Sequence, residues 1–346
     1  MTSFVVVGAG WRAEMFWRLA AALPGVECVG AVVRSPRELP VPALRAIDDV
    51  RADFVVTAVS WDANPDVIRA AVDRGLPVLS ETPPAPDLAG MRALWADVGA
   101  SGLVQVAEQY LMVPAHAARL AAVRAGAIGT PTQVQVSSTH MYHAISIMRG
   151  HLGVGAEPAT VRAMRTTAPL VNPLTRDGWT GDDEPHPTDT TVAVLDWGEG
   201  RSGVYDFTVN QWHNQLRFRR LVVRGTHGEL RDDEVVRLLG PRRIARTPLV
   251  RRQTGYDLDL DGYETDHITL GDEVLFANPY LGNRWSDEEI AIATLLERTA
   301  AWVRGDGPAP YPLHEGLQDH HLALAVEEAA GTGRTVVTGR EPWSQE

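Results

Sequence analysis

Over the first third of the chain, short apolar runs alternate with segments of helical periodicity. Phe4–Val7, Glu27–Val33, Phe54–Val59, Leu76–Ser80 and Leu103–Ala107 read as strands. Several are apolar throughout, as expected of parallel strands buried on both faces. Between them, Arg12–Leu23, Pro65–Arg74 and Asp87–Ala100 read as helices; Pro24-Gly25 ends the first and Gly75 the second. Repeated βα units of this kind predict a parallel sheet with right-handed crossovers.

The pattern changes after Pro114. A helix, Ala115–Ala125, stops at Gly126. Alternating polar and apolar residues then recur at Thr132–Ser138, Thr190–Asp196, Gly203–Val209, Leu221–Arg224, Val235–Leu239 and His267–Leu270. This alternation predicts a large open, mostly antiparallel sheet with one solvated face. Two long helical patterns close the chain, Asp287–Arg304 and His314–Ala330, the first capped by Ser286 with acids in its first turn. Ala168–Pro187, rich in Pro, Gly, Asp and Thr, reads as a long loop, either a lid or a surface insertion. The expected fold class is α/β, divided into a domain with the parallel sheet (1–118) and an α/β domain with the large open sheet (119–346). The final helix is free to pack back on the first domain.

A length of 346 residues suits two domains, and 45% hydrophobic residues suit an ordinary globular core. The net charge of −12 argues against a nucleic-acid partner, which needs a basic face. The single cysteine, Cys28, rules out an internal disulfide framework and suits a reducing cytoplasm. It lies in an apolar run and reads as buried filler. The N-terminus shows no signal-peptide pattern, and no stretch is apolar enough to span a membrane.

Gly8-Ala9-Gly10-Trp11-Arg12-Ala13 matches G-x-G-x-x-A directly between a strand and a helix. In that context Gly8 permits the tight turn and Gly10 lets backbone approach a pyrophosphate. Ala13 is small enough for close packing, and the helix N-terminus beginning at Trp11 and Arg12 offers free N–H groups. The second strand ends in Val33-Arg34-Ser35 with no carboxylate to take a ribose 2′-hydroxyl. Arg34 and Ser35 therefore favour NADP over NAD, unless Arg34 is only a solvated charge at a strand end.

The order of these elements, with Ser80-Glu81-Thr82-Pro83 at the end of the fourth of these strands, resembles the glucose-fructose oxidoreductase / inositol dehydrogenase (Gfo/Idh/MocA) family. In that family the strand ends in Glu-Lys-Pro and the lysine works beside the nicotinamide; Thr82 stands there in this chain. The resemblance places Ser60, Trp61, Glu81, Thr82 and Gln109 around the cofactor, with Trp61 able to stack on it and Glu81 holding backbone or ribose. It extends to Thr139-His140-Met141-Tyr142-His143, where the family has an aspartate followed four residues later by a histidine. Thr139 takes the aspartate position and His143 aligns with the histidine. His143 is thus the remaining titratable group of the usual trio, and a histidine can relay a proton near neutral pH.

His140, at i, i+3 from His143, can share its face, and Tyr110 can position substrate. No metal site is expected. Asp182-Asp183-Glu184 reads as a solvated acid run. Asp319 matches a family position whose role is packing. Trp212, His213 and Arg217 suit a sugar, or form a strand edge or subunit interface. The resemblance implies a homodimer or homotetramer. It also implies an NAD(P)-dependent oxidoreductase acting on a carbohydrate-like small molecule: a sugar, a polyol or a related hydroxy compound. A lyase, epimerase or glycosidase using the cofactor transiently, and a redox-silent sensor that keeps the cofactor, stay open as alternatives.

Overall fold

The computed structural model describes residues 1–35, 37–49, 51–255 and 262–345. Six strands form the first sheet: β1 (Thr2–Val7), β2 (Val26–Val32), β3 (Ala43–Leu44), β4 (Phe54–Thr57), β5 (Val78–Ser80) and β6 (Val104–Val106). Their order is β3-β2-β1-β4-β5-β6, parallel throughout, the doubly wound arrangement expected from the alternation. Phe4, Val5, Val6, Phe54, Val55 and Val56 are fully buried, which is why these strands carry apolar residues on both faces. Helices α1 (Trp11–Ala20), α2 (Asn64–Val72) and α3 (Leu88–Val98) are its crossovers. Cys28 is half-buried, and burial pushes its thiol up to about 11, as befits a packing residue.

After α4 (Pro114–Arg124) comes the large sheet. Its strands are β7 (Pro131–Val136), β8 (Thr160–Leu170), β11 (His186–Gly198), β12 (Arg201–Thr208), β13 (Leu221–Gly225), β14 (Gly228–Arg231), β15 (Glu234–Gly240), β16 (Arg243–Gln253), β17 (Thr265–Leu270), β18 (Glu273–Ala277) and β19 (Val336–Val337). The order is β18-β17-β16-β15-β14-β13-β7-β12-β11-β8-β19; β7 and β12 pair in parallel and the other neighbours are antiparallel. A small hairpin, β9 (Leu174–Thr175) with β10 (Gly178–Trp179), stands apart from it. So 168–187 is not irregular throughout: β8 runs to Leu170, the hairpin follows, and β11 begins at His186.

Alternation along β11 buries Thr191, Ala193, Leu195 and Trp197 and leaves Val192, Val194 and Asp196 outward. The inner face is covered by α5 (Met141–Leu152) and α7 (Leu313–Thr332). Helix α6 (Asp287–Val303) packs on α1, and its Ile290, Ile292, Leu295 and Leu296 join the core of the first sheet. Ser286 caps α6 in a full capping box with Glu289, in line with the sequence signal. Helix α7 spans both parts, Leu317 packing beside Val106 and Leu322 in the core of the large sheet. Among the described residues, no helix is long and apolar enough to cross a membrane.

Candidate active site

The glycine turn folds as its residues require. Gly8 has φ +122°, and a Cβ added there would lie 2.1 Å from the Ala58 carbonyl oxygen. Glycine is what allows β1 to end so close to β4. At Gly10 an added Cβ would meet nothing within 4 Å, so this backbone faces open space. Gly10 is the N-cap of α1 and supplies no side-chain cap, leaving the first N–H groups of the helix free for an anion. Ala13 is fully buried behind them.

A cleft of about 610 Å³ opens at this turn, lined by Gly8, Gly10, Arg34, Ser35, Arg37 and Ser60 among others. No carboxylate lines it among the described residues. Arg37 donates to the Ala9 carbonyl at 3.2 Å and so borders the turn itself. Open backbone at Gly10, uncapped helical N–H groups and a cationic rim fit the pyrophosphate and adenosine end of a dinucleotide.

A second cavity, of about 640 Å³, adjoins the turn through Trp11 and Arg12, and Gln109, Tyr110, His140 and His143 also line it. His143 lies in the first turn of α5, and its Nδ1 is 2.5 Å from Glu108 Oε2. Glu108 follows β6, and its Oε1 accepts the Tyr110 backbone N–H at 3.0 Å. The two side chains are 7% and 2% exposed, so the pair sits in a low-dielectric setting. The Tyr110 ring rests on the imidazole, centroids 4.4 Å apart, and burial raises its phenol above the ordinary range.

His140 is the N-cap of α5, its ring edge-on to His143 at 5.2 Å and 4.9 Å from Trp212. Burial, and then the neighbouring His143, lower His140 to about 4, so it is neutral at pH 7. A neutral imidazole offers one donor and one acceptor. Ser138 contributes a buried hydroxyl with no hydrogen-bond partner among the described residues.

Other site residues stand differently. Glu81 lines neither cavity. Its Oε1 is 3.2 Å from Arg12 Nε, and Arg12 also reaches Glu288 at 3.2 Å. Burial raises the Glu81 carboxyl against the pull of Arg12. Trp11 and Arg12 line the larger cavity rather than the cleft beside Gly10. Trp61 lines neither: it is half exposed and edge-on to His320 at 6.4 Å. Thr82 borders a void of only about 10 Å³, shared with Glu108, Tyr142 and Asp319. A space no larger than one water cannot hold a lysine side chain. Tyr142 lies against His143 there, ring centroids 4.5 Å apart, and Thr139 is fully buried.

The segment 210–217 divides its work. Asn210 donates to the Leu174 carbonyl at 2.7 Å, Asn214 to that of Val171 at 2.9 Å, and Arg217 to Asn172 Oδ1 at 2.7 Å. These bonds tie down the segment that leads from β8 into the β9–β10 hairpin. Trp212 and His213 face the cavity instead. At the hairpin tip, the Arg176 guanidinium lies 4.4 Å from the Trp11 ring centroid, so the hairpin reaches the glycine turn across the cavity. Asp319 is buried, with Arg149 Nη1 at 2.6 Å, a packing ion pair. Asp182 is exposed and pairs with His186 at 2.8 Å.

Sequence reasoning passed over Glu108. The available signal was a carboxylate two residues beyond the strand residue Val106, in a stretch that had to be buried; such a group needs a partner. The partner lies 35 residues on, a distance the sequence pattern does not reveal.

No protein-family model matches this chain, and no curated protein sequence matches it either. Solved structures do. An oxidoreductase from Agrobacterium radiobacter, in complex with NAD+, L-tartaric acid and magnesium, superposes at TM-score 0.68 with 17% identity over 97% of this chain and 98% of that one. A myo-inositol dehydrogenase from Corynebacterium glutamicum gives 0.66 with 19% identity over 98% and 99%. The WlbA dehydrogenase from Bordetella pertussis, in complex with NADH and UDP-GlcNAcA, gives 0.65 with 17% identity over 98% of each chain. At these identities the likeness establishes the fold: this chain has the two-part architecture of those dehydrogenases along nearly its whole length.

Proposed function

We propose that this protein is a nicotinamide-dinucleotide-dependent oxidoreductase acting on a small hydroxy compound, with His143 as proton relay and Glu108 as its carboxylate partner. The observation that carries the reading is the buried Glu108–His143 pair at 2.5 Å, in a cavity that opens beside the glycine turn.

Gly8, Gly10 and the N-terminus of α1 would hold the cofactor, which would supply the hydride acceptor or donor. His143 takes the hydroxyl proton as the substrate carbon is oxidised and returns it in the reverse direction. Glu108 accepts a hydrogen bond from Nδ1–H, which fixes the tautomer and leaves Nε2 as the base; it also stabilises the imidazolium that forms. Gln109, Tyr110 and neutral His140 orient the substrate by hydrogen bonds. Glu81 acts through Arg12. Residues 1–118 would carry the cofactor, and 119–346 supply His140 and His143. Arg34 and Ser35, with Arg37 and Arg45 in the same cleft, favour NADP. The solved structures that hold L-tartaric acid and UDP-GlcNAcA support polyhydroxy substrates on this fold.

The solvated face of the large sheet supports self-association. Exposed Met164 pairs with Val192, and Leu238 with Ile244, across neighbouring strands. Apolar pairs on an open sheet face suit a homodimer or homotetramer.

Fluorescence titration with NADPH and NADH tests the first requirement: at least one binds in the micromolar range. Failure of both to bind at millimolar concentration rejects the reading. A second reading, a cofactor-binding sensor, is favoured by the close packing around Thr82; binding without turnover of any polyol, sugar or hydroxy acid would select it.

A further inference from the structure

The net charge of this protein is −12, yet the wall of the 640 Å³ cavity carries six arginines and three carboxylates. The carboxylates are all engaged. Asp287 is 2.9 Å from Arg251, Glu288 is 3.2 Å from Arg12, and Asp232 accepts the Leu221 backbone N–H at 2.8 Å. Arg119 and Arg220 are matched from outside the cavity, by Asp233 at 2.9 Å and Asp206 at 2.5 Å. Two arginines remain. Arg176 rests on Trp11, and Arg219 donates to the Trp212 carbonyl; neither has a carboxylate partner among the described residues. Both stand at the mouth, exposed, beside His213.

Resting on the oxidoreductase reading, we propose that the substrate is an anionic hydroxy compound, its carboxylate or phosphate held by Arg176 and Arg219 while its hydroxyl faces His143. A cleft whose mouth carries an excess of one sign of charge concentrates the opposite sign, and arginine's fork matches the planar or tetrahedral oxygens of either anion. The apolar ring of Trp212, stacked on Phe207 at 5.0 Å, gives the carbon skeleton a surface between the two ends. A neutral polyol would leave both guanidinium groups without a counter-charge.

Equilibrium binding tests this without requiring turnover. D-gluconate, D-glucose 6-phosphate and neutral D-glucitol are titrated calorimetrically into the protein saturated with NADPH, at low and at physiological salt. At least one anion binds tenfold or more tightly than D-glucitol, and raised salt narrows the gap. Gluconate ahead of the phosphate identifies a carboxylate, the reverse order a phosphate. Arg176→Gln with Arg219→Gln erases the preference; Arg219→Lys retains part of it and covers the case where loss of the Trp212 contact loosens the loop. D-glucitol binding as tightly as both anions, no anion binding, or a preference that survives the double substitution overturns the proposal. Anion binding with no reduction of NADP+ or NAD+ at 340 nm, when either replaces NADPH, would reject the oxidoreductase reading and leave the charge assignment standing.

Discussion

Gly10 allows cofactor binding to be separated from folding. Its φ of −85° and ψ of −179° suit any residue, and nothing lies within 4 Å of an added Cβ. Gly10→Ala therefore introduces no clash in the protein alone. Alanine is a poorer N-cap than glycine by up to ~1 kcal/mol, and a stiffer unfolded chain offsets about 0.4–1 kcal/mol of that. The net change in stability stays within about 1 kcal/mol, and Tm moves by no more than roughly 4 °C.

The same methyl projects about 1.5 Å into the space where a pyrophosphate approaches the backbone. Displacing the phosphates breaks one charge-assisted hydrogen bond to a helical N–H group, which contributes ~1.5–3 kcal/mol. At about 1.4 kcal/mol per factor of ten, NADPH binds roughly ten- to a hundredfold more weakly. Fluorescence titration measures the affinity and calorimetry the melting. An affinity within threefold of the parent protein at unchanged Tm would refute the placement of the pyrophosphate.

Other outcomes follow from the same geometry. Glu108→Gln removes the charged partner of His143, and loss of a ~1.5–3 kcal/mol charge-assisted bond lowers kcat by about ten- to a hundredfold at a Tm close to the parent's. Thr82→Lys overfills a void of about 10 Å³; it destabilises by ~1–3 kcal/mol in urea unfolding and gives no gain in turnover. Arg34→Ala weakens NADPH more than NADH, read as a ratio of Kd values that falls at least fivefold. Burial holds His116 and His151 at about 3, well below the ordinary histidine value. Both are neutral in the folded protein, while the unfolded chain takes protons below its ordinary pKa. Their contribution is complete above about pH 6.5 and is lost as pH falls toward 3, by up to ~1.4 kcal/mol per unit per histidine. Neither ring nitrogen of His151 has a hydrogen-bond partner among the described residues. His151→Leu therefore removes that residue's share of the acid limb, up to ~1.4 kcal/mol per pH unit.

What the sequence revealed follows from how local each signal was. The parallel sheet was legible because its strands are buried on both faces and stand alone between helices. The cap at Ser286 and the glycine turn were legible because three or four adjacent residues determine them. Strand β8 carried no readable alternation, since most of its outer half is exposed. Strand β16 was likewise missed, with exposed residues on both faces over most of its length. At the site, His143 is legible from the family resemblance and His140 from its i, i+3 spacing to it, whereas Glu108 is not, because its partner comes from another element. Trp61 and Glu81 were placed at the cofactor by alignment alone. In space Trp61 turns to His320 and Glu81 to Arg12, contacts that depend on α7 and α1 rather than on the adjacent turn.

The central claim is that His143, backed by Glu108, moves the proton that accompanies hydride transfer. Reduction of NADP+ and NAD+ at 340 nm, across polyols, aldoses, aldonates and sugar phosphates, measures it with His143→Asn beside the parent protein. The account expects turnover of at least one compound, reduced a hundredfold or more by the substitution while NADPH affinity and Tm hold. Turnover unchanged in His143→Asn, or tight NADPH binding with no compound oxidised, would contradict it.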